Sequence, residues 1–171
     1  MEDHWPRVAG MFARSDGDIG CVWMAHDKDR DLVHLYDACL FKREVLPVIA
    51  EGLNARGRHV PVAWAQKDIS GALLERGCNM LPEACADSDA SAEIAARDIW
   101  SRMRTQRFKV DRRLQDWRDE FDTYNREDQK VPRETHPLMS ATRYAVQMLP
   151  YARRLAPRRG QGVNYPKVAV L

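Results

Sequence analysis

GCVWMAHDKDRDLVHLYDA, residues 20–38, holds two β-prone runs, GCVWMAH (20–26) and LVHLYDA (32–38), on either side of a turn made almost entirely of charged residues. Val, Trp, Leu and Tyr fit a pleated, half-buried surface, and a short polar break between two such runs predicts an antiparallel hairpin. Upstream, VAGMF (8–12) is a third run of the same kind, so the chain is expected to begin with a three-stranded meander. A sheet with an apolar face needs a cover. EVLPVIAEGLNARG (44–57) supplies a helix, with Val45, Ile49 and Leu53 on one stripe, Pro47 tolerable only in a first turn and Gly57 placed to end it. HVPVAWA (59–65) is a continuous apolar run, the pattern of a strand buried on both faces, and is expected beside the first strand at the centre of the sheet.

Farther along, ISGALLERG (69–77) reads as a short helix capped by Asp68 and closed by Gly77, and CNMLP (78–82) as a short extended piece. SAEIAARDIWSRMR (91–104) is a helix with Ser91 as its cap and Ala92, Ala95, Ile99 and Met103 on one face. RFKV (107–110) reads as a strand. LQDWRDEFDTY (114–124) is a helix presenting Leu114, Trp117, Phe121 and Tyr124, its opposite face almost wholly charged. PLMSATRYAVQML (137–149) is the last helix, with Pro137 in its first turn and Leu138, Ala145 and Leu149 in line. The order predicts an α/β fold: a mixed sheet of five or more strands, an antiparallel meander joined to parallel crossovers and flanked by helices.

The chain has 171 residues, enough for one domain around one core, expected over 1–152. No apolar run approaches the roughly 20 residues of a membrane span. MEDHWPR at the amino terminus has neither a basic start before an apolar stretch nor a small-residue cleavage site, which points to the cytoplasm. Cys21, Cys39, Cys78 and Cys85 form no CxxC pair, which argues against a zinc knuckle or redox dithiol and for reduced, packed thiols. A net charge of +2 does not announce a nucleic-acid binder by itself, but the basic residues cluster. RRLAPRRGQGVNYPKVAVL (153–171) holds five Lys or Arg and no acid, and reads as a mobile basic tail. Arg102, Arg104, Arg107, Lys109, Arg112 and Arg113 form the densest internal group, suited either to a phosphate backbone or to a solvated face with local ion pairs.

Seven segments in order, HWPRVAG, VWMAHDKDRDLVHLYDA, VPVAWA, GCNMLPE, RMRTQRFKV, DWRDEFDTYNRED and LMSATRYAVQML, resemble the carboxy-terminal, ribonuclease H-like nuclease domain of the large subunit of tailed-phage terminases. The likeness runs from residue 4 to about 150, and NYPKVAVL resembles the end of such subunits. The family's ATPase motor is not represented, since no GxxxxGK[ST] loop occurs in this sequence. The resemblance implies an endonuclease that cuts concatemeric genome DNA during packaging, in company with a terminase ATPase and a portal. It also implies Mg²⁺ or Mn²⁺ held by carboxylates, because hard cations need clustered oxygen ligands.

At the three positions where the resemblance places those acids, this sequence departs. The first follows Gly10-Met11 and reads Phe12, the second comes three residues after Trp64 and reads Lys67, and the third falls on His136-Pro137. An ammonium in a two-metal site repels the ions. The expectation is therefore a degenerate nuclease acting as a DNA- or protein-binding module, with no metal required. Two alternatives stay open: an endonuclease whose site is rebuilt from Asp16, Asp18, Asp68 and His136, and a prophage remnant without function. Against rebuilding, Asp16 and Asp18 suit a solvated turn, Asp68 a helix cap and His136 the start of a helix. Trp117, Phe121 and Tyr124 suit core packing better than base stacking, and Arg143 is expected to pair with an acid near the sheet.

Overall fold

The first strand is buried on both sides, and its alternation sets the layers. The computed structural model describes residues 4–125, 130–132 and 134–154. β1 (Arg7–Ala13) pairs antiparallel with β2 (Ile19–Asp27), placing Gly10 opposite Val22 and Phe12 opposite Gly20, and β2 pairs antiparallel with β3 (Leu32–Phe41). The meander is thus present. β4 (Val62–Ala63) runs parallel to β1 and β5 (Phe108–Val110) parallel to β3, giving the order β4-β1-β2-β3-β5.

Val8, Gly10 and Phe12 face one side of the sheet, and α5 (Pro137–Gln147) lies across it. A Cβ on Gly10 would overlap the carbonyl oxygen of Ala141, and one on Gly20 would lie 2.6 Å from the carbonyl carbon of Pro137. Only glycine lets the helix backbone come this near. Ten residues of α5, Pro137 through Val146, are buried, so this is a central helix rather than an amphipathic cover. On the opposite side, the Arg56 guanidinium stacks 4.6 Å from the Trp23 ring, which puts α1 (Leu46–Ala55) there. α2 (Lys67–Glu75) packs beside α1, while α3 (Asp89–Arg104) and α4 (Gln115–Thr123) flank α5. A single 3₁₀ turn, Leu149–Tyr151, follows α5, and Arg153 then pairs with Arg7 at the start of β1 through two backbone hydrogen bonds. Residues 155–171, most of the expected tail, lie outside the described part.

Several local expectations need correction. The 59–65 run does lie beside β1, but its paired portion is two residues and forms the outer strand of the sheet, not the centre. It is enclosed because Val62 bonds to Asn79 and Leu81, so the CNMLP stretch covers its other side. Asp68 does not cap a helix starting at Ile69: α2 begins at Lys67 and its N-cap is Gln66, whose side chain reaches the Ala13 carbonyl at 3.3 Å. Ser88 rather than Ser91 is the N-cap of α3, the two serines bonding reciprocally as a capping box. Val45 is 63% exposed, since α1 starts after it. Phe121 is 42% exposed, whereas Trp117 on the same stripe is buried.

The β2–β3 turn is locked from outside. Asp31, at φ 49°, accepts hydrogen bonds from Arg102 at 2.8 Å and from Arg107, while His26 Nε2 lies 3.1 Å from it. Chiefly through the Arg102 bond, its carboxyl is held below the usual range. Two of the clustered arginines thereby tie the end of α3 and the start of β5 to the meander. All four cysteines are free, and burial raises the thiols of Cys21, Cys39, Cys78 and Cys85. No helix among the described residues is long and apolar enough to cross a membrane.

Candidate functional site

β1 and β4 are parallel, so both end at the same edge of the sheet. α5 runs from Pro137 beside Gly20 to Ala145 beside Gly10, which puts its amino terminus at that edge too. The Gln66–Ala13 hydrogen bond ties the chain beyond β4 to the end of β1. Phe12, Lys67 and His136-Pro137, far apart in sequence, thus come from three segments that converge at one end of the sheet.

Each has a packing role there. Phe12 is 1% exposed, its ring centroid 6.0 Å from that of Tyr144 on α5. Pro137 is buried against Gly20. His136 is buried, its Nδ1 2.8 Å from the Thr135 hydroxyl and its Nε2 3.2 Å from that of Thr123, with its ring edge-on to Tyr124. Both ring nitrogens are therefore engaged. Lys67 is exposed in the first turn of α2.

The acid that does occupy the start of α5 is one the sequence reading missed. Glu120 of α4 reaches across and accepts hydrogen bonds from the amides of Leu138 at 2.8 Å and Met139 at 3.2 Å. His136 makes no side-chain cap, so a carboxylate from another helix satisfies donors the helix leaves open. Burial pushes Glu120 up to about 7, against the opposing pull of those two amides and of Arg14. No local sequence signal marks it, because it sits on the charged side of α4 that reads as solvated.

No protein-family model matches the chain, and no curated protein does. Solved structures do. The nuclease domain of the P22 large terminase superposes with a TM-score of 0.76 at 23% identity, over 90% of this chain and 86% of that one. The chain has the fold of a large terminase nuclease domain. The SPP1 bacteriophage large terminase nuclease domain with bound Mn gives 0.62 at 18% identity, over 84% of this chain and 86% of that one. The large terminase nuclease from thermophilic phage G20c with bound cobalt gives 0.66 at 14%, over 85% and 82%.

Within this terminase nuclease fold, the three converging positions carry an aromatic ring, an ammonium and a His-Pro pair. Hard divalent ions take several carboxylate oxygens, and none of the three converging positions supplies one. Glu120 is engaged by two amides. Asp16 and Asp18 lie in the β1–β2 turn, where Arg14 pairs with Asp16 at 2.9 Å and approaches Asp18 at 3.8 Å. Asp68 is exposed in the first turn of α2. Among the described residues, no three His, Cys, Asp or Glu side chains are grouped to share an ion.

The basic cluster divides. Arg102 and Arg107 are held on Asp31, and Arg113 forms a 2.9 Å pair with Asp111. Arg104, Lys109 and Arg112 are exposed, with Arg104 lying 4.5 Å over the Trp100 ring. Arg143 does not pair with an acid among the described residues. It is 2% exposed and donates from Nη2 to the Ser140 hydroxyl at 2.8 Å.

Proposed function

We propose that this chain is a terminase-type nuclease fold that binds rather than cuts, a module of phage or prophage DNA packaging working in the host cytoplasm without a metal. The observation that carries this reading is the sheet end. There an aromatic ring, a solvent-facing ammonium and a buried proline stand at the convergence of β1, β4 and α5, and Glu120, the acid that reaches the start of α5, serves as a helix cap. Neighbours of this fold hold Mn or cobalt. Here an ion would meet mostly water, with Asp68 alone on offer from α2 and both nitrogens of His136 engaged.

In this reading the partner is duplex DNA or another packaging protein, such as a terminase ATPase or a portal. Arg104, Lys109 and Arg112 are the exposed cations available for phosphate, a sequence-independent contact that weakens with salt. The test is supercoiled plasmid incubated with the purified protein and Mn²⁺. The expected outcome is no nicking and no thermal stabilisation by the metal, since an ion that binds the native state raises its melting temperature. Nicking that disappears in Asp68→Ala would reveal a rebuilt site and overturn the proposal.

A further inference from the structure

α3 and α4 both pack on α5. Between them lies a cleft of about 500 Å³, within the range typical of small-ligand pockets. Its walls are mostly apolar, with Ile99, Trp100 and Met103 from α3 and Trp117 and Phe121 from α4, and Arg97, paired with Glu93, also lines it. The Trp117 and Phe121 rings are stacked, 10° from parallel with centroids 5.2 Å apart. Trp117 is held in place by its indole N–H, which donates to Thr142 at 2.9 Å. Phe121 and Trp100, 42% and 59% exposed, stand at the rim.

Arg143 also lines this cleft, and it is the anomaly. A guanidinium has five N–H donors and a fixed charge. Among the described residues, Arg143 has the Ser140 hydroxyl as its hydrogen-bond acceptor and no carboxylate, and its buried Nε has no partner. A cation 2% exposed without a counter-charge is unfavourable unless something anionic meets it. Aromatic walls around a recessed cation are complementary to a flat apolar body carrying an anionic head.

We propose that this cleft is a binding site for a small organic acid, its carboxylate on Arg143 and its flat apolar body against Trp117, Phe121 and Trp100. The cleft opens on the side of α5 that faces α3 and α4, its Tyr124 meeting His136 edge-on, and the proposal does not depend on whether the chain cuts DNA. A surface-docked acidic peptide is the less favoured occupant, because the guanidinium is recessed and a group must enter the cleft to reach it.

Calorimetric titration of the full chain with 2-naphthoate, neutral 2-naphthamide and a short acidic aromatic peptide decides the matter. Naphthoate is expected to bind saturably with one molecule per chain. The amide should bind at least about tenfold more weakly, the discrimination expected of a charge-assisted hydrogen bond. Arg143→Met should abolish that preference, and Trp100→Ala, at the exposed rim, should weaken both ligands while preserving it. If Arg143→Met does not fold, the acid-to-amide ratio on the unmodified protein still tests the idea. Equal binding of acid and amide, or no saturable binding of naphthoate at millimolar concentration, overturns it. Binding of the peptide alone also overturns it and makes the cleft a protein-docking surface.

Discussion

α5 meets its neighbours in two different ways. On the sheet side its backbone touches the backbone of β1 and β2, because Gly10 and Gly20 carry no side chain to hold it off. On the other side, α3 and α4 pack on α5 and leave between them a cleft lined by large side chains, Trp100 and Phe121 among them, and by Arg143, which has no carboxylate partner among the described residues. Small residues thus produce a contact with no room for change, and large ones a contact with room for a ligand. The sheet end of α5 belongs to the first kind, with Phe12 and Pro137 buried there.

This contrast can be broken most severely at Gly10. Gly10→Ala places a methyl group inside the Ala141 carbonyl and should destabilise the protein by at least about 4 kcal/mol or prevent folding, read by denaturant unfolding. A variant that melts like the parent would show that α5 is free to slide and that the contact is not tight.

On the cleft side, one stripe should yield two different costs. Trp117→Ala removes a buried ring and its bond to Thr142, and should cost roughly 3–4 kcal/mol. Phe121→Ala, on the same helix but 42% exposed, should cost less than about 1 kcal/mol. Equal losses would mean that the cleft closes over Phe121 in solution.

A pH-dependent effect of comparably small size lies where the two sides meet, at Glu120. Its carboxyl is raised from an ordinary 4.5 to about 7, so the folded protein holds a proton that the unfolded chain gives up. Stability from this source is complete below about 4.5 and is lost as pH rises through 7. Glu120→Gln, which keeps an acceptor but cannot ionise, should flatten that fall. Relative to the parent it should gain about 1 kcal/mol between pH 5 and pH 8, a figure reduced for solvent screening. Identical pH profiles for the two proteins would show that Glu120 does not titrate in this range.

Much of the architecture is legible in the residues. Strand alternation, the charged turn at 28–31, the first-turn prolines at 47 and 137 and the terminal glycines at 57 and 77 each act over a few residues, and the elements appear where those signals stand. Apart from the α3 cap, which falls on Ser88 three residues before Ser91, errors fall where a distant partner decides. Gln66 bonds to Ala13 and α2 starts earlier than Asp68 implies; Asn79 and Leu81 cover the 59–65 run, so an outer strand is as apolar as a central one; and Phe121 faces a gap that periodicity cannot report.

The candidate site divides along the same line. That carboxylates are missing at Phe12, Lys67 and Pro137 is a matter of residue type, readable in the chain itself once a motif assigns those positions. That the three segments converge, that Glu120 from α4 caps α5, and that Arg143 is buried beside aromatic rings without an acid are matters of contact between segments far apart in sequence. Side-chain chemistry and short-range backbone preference are written locally, so sequence alone determined most of the elements and which residue types stand at positions 12, 67 and 137. Burial, long-range hydrogen bonds and the spaces between helices exist only once the chain has closed on itself, so the tertiary structure decided which groups are satisfied and that Arg143 meets a hydroxyl and no carboxylate among the described residues.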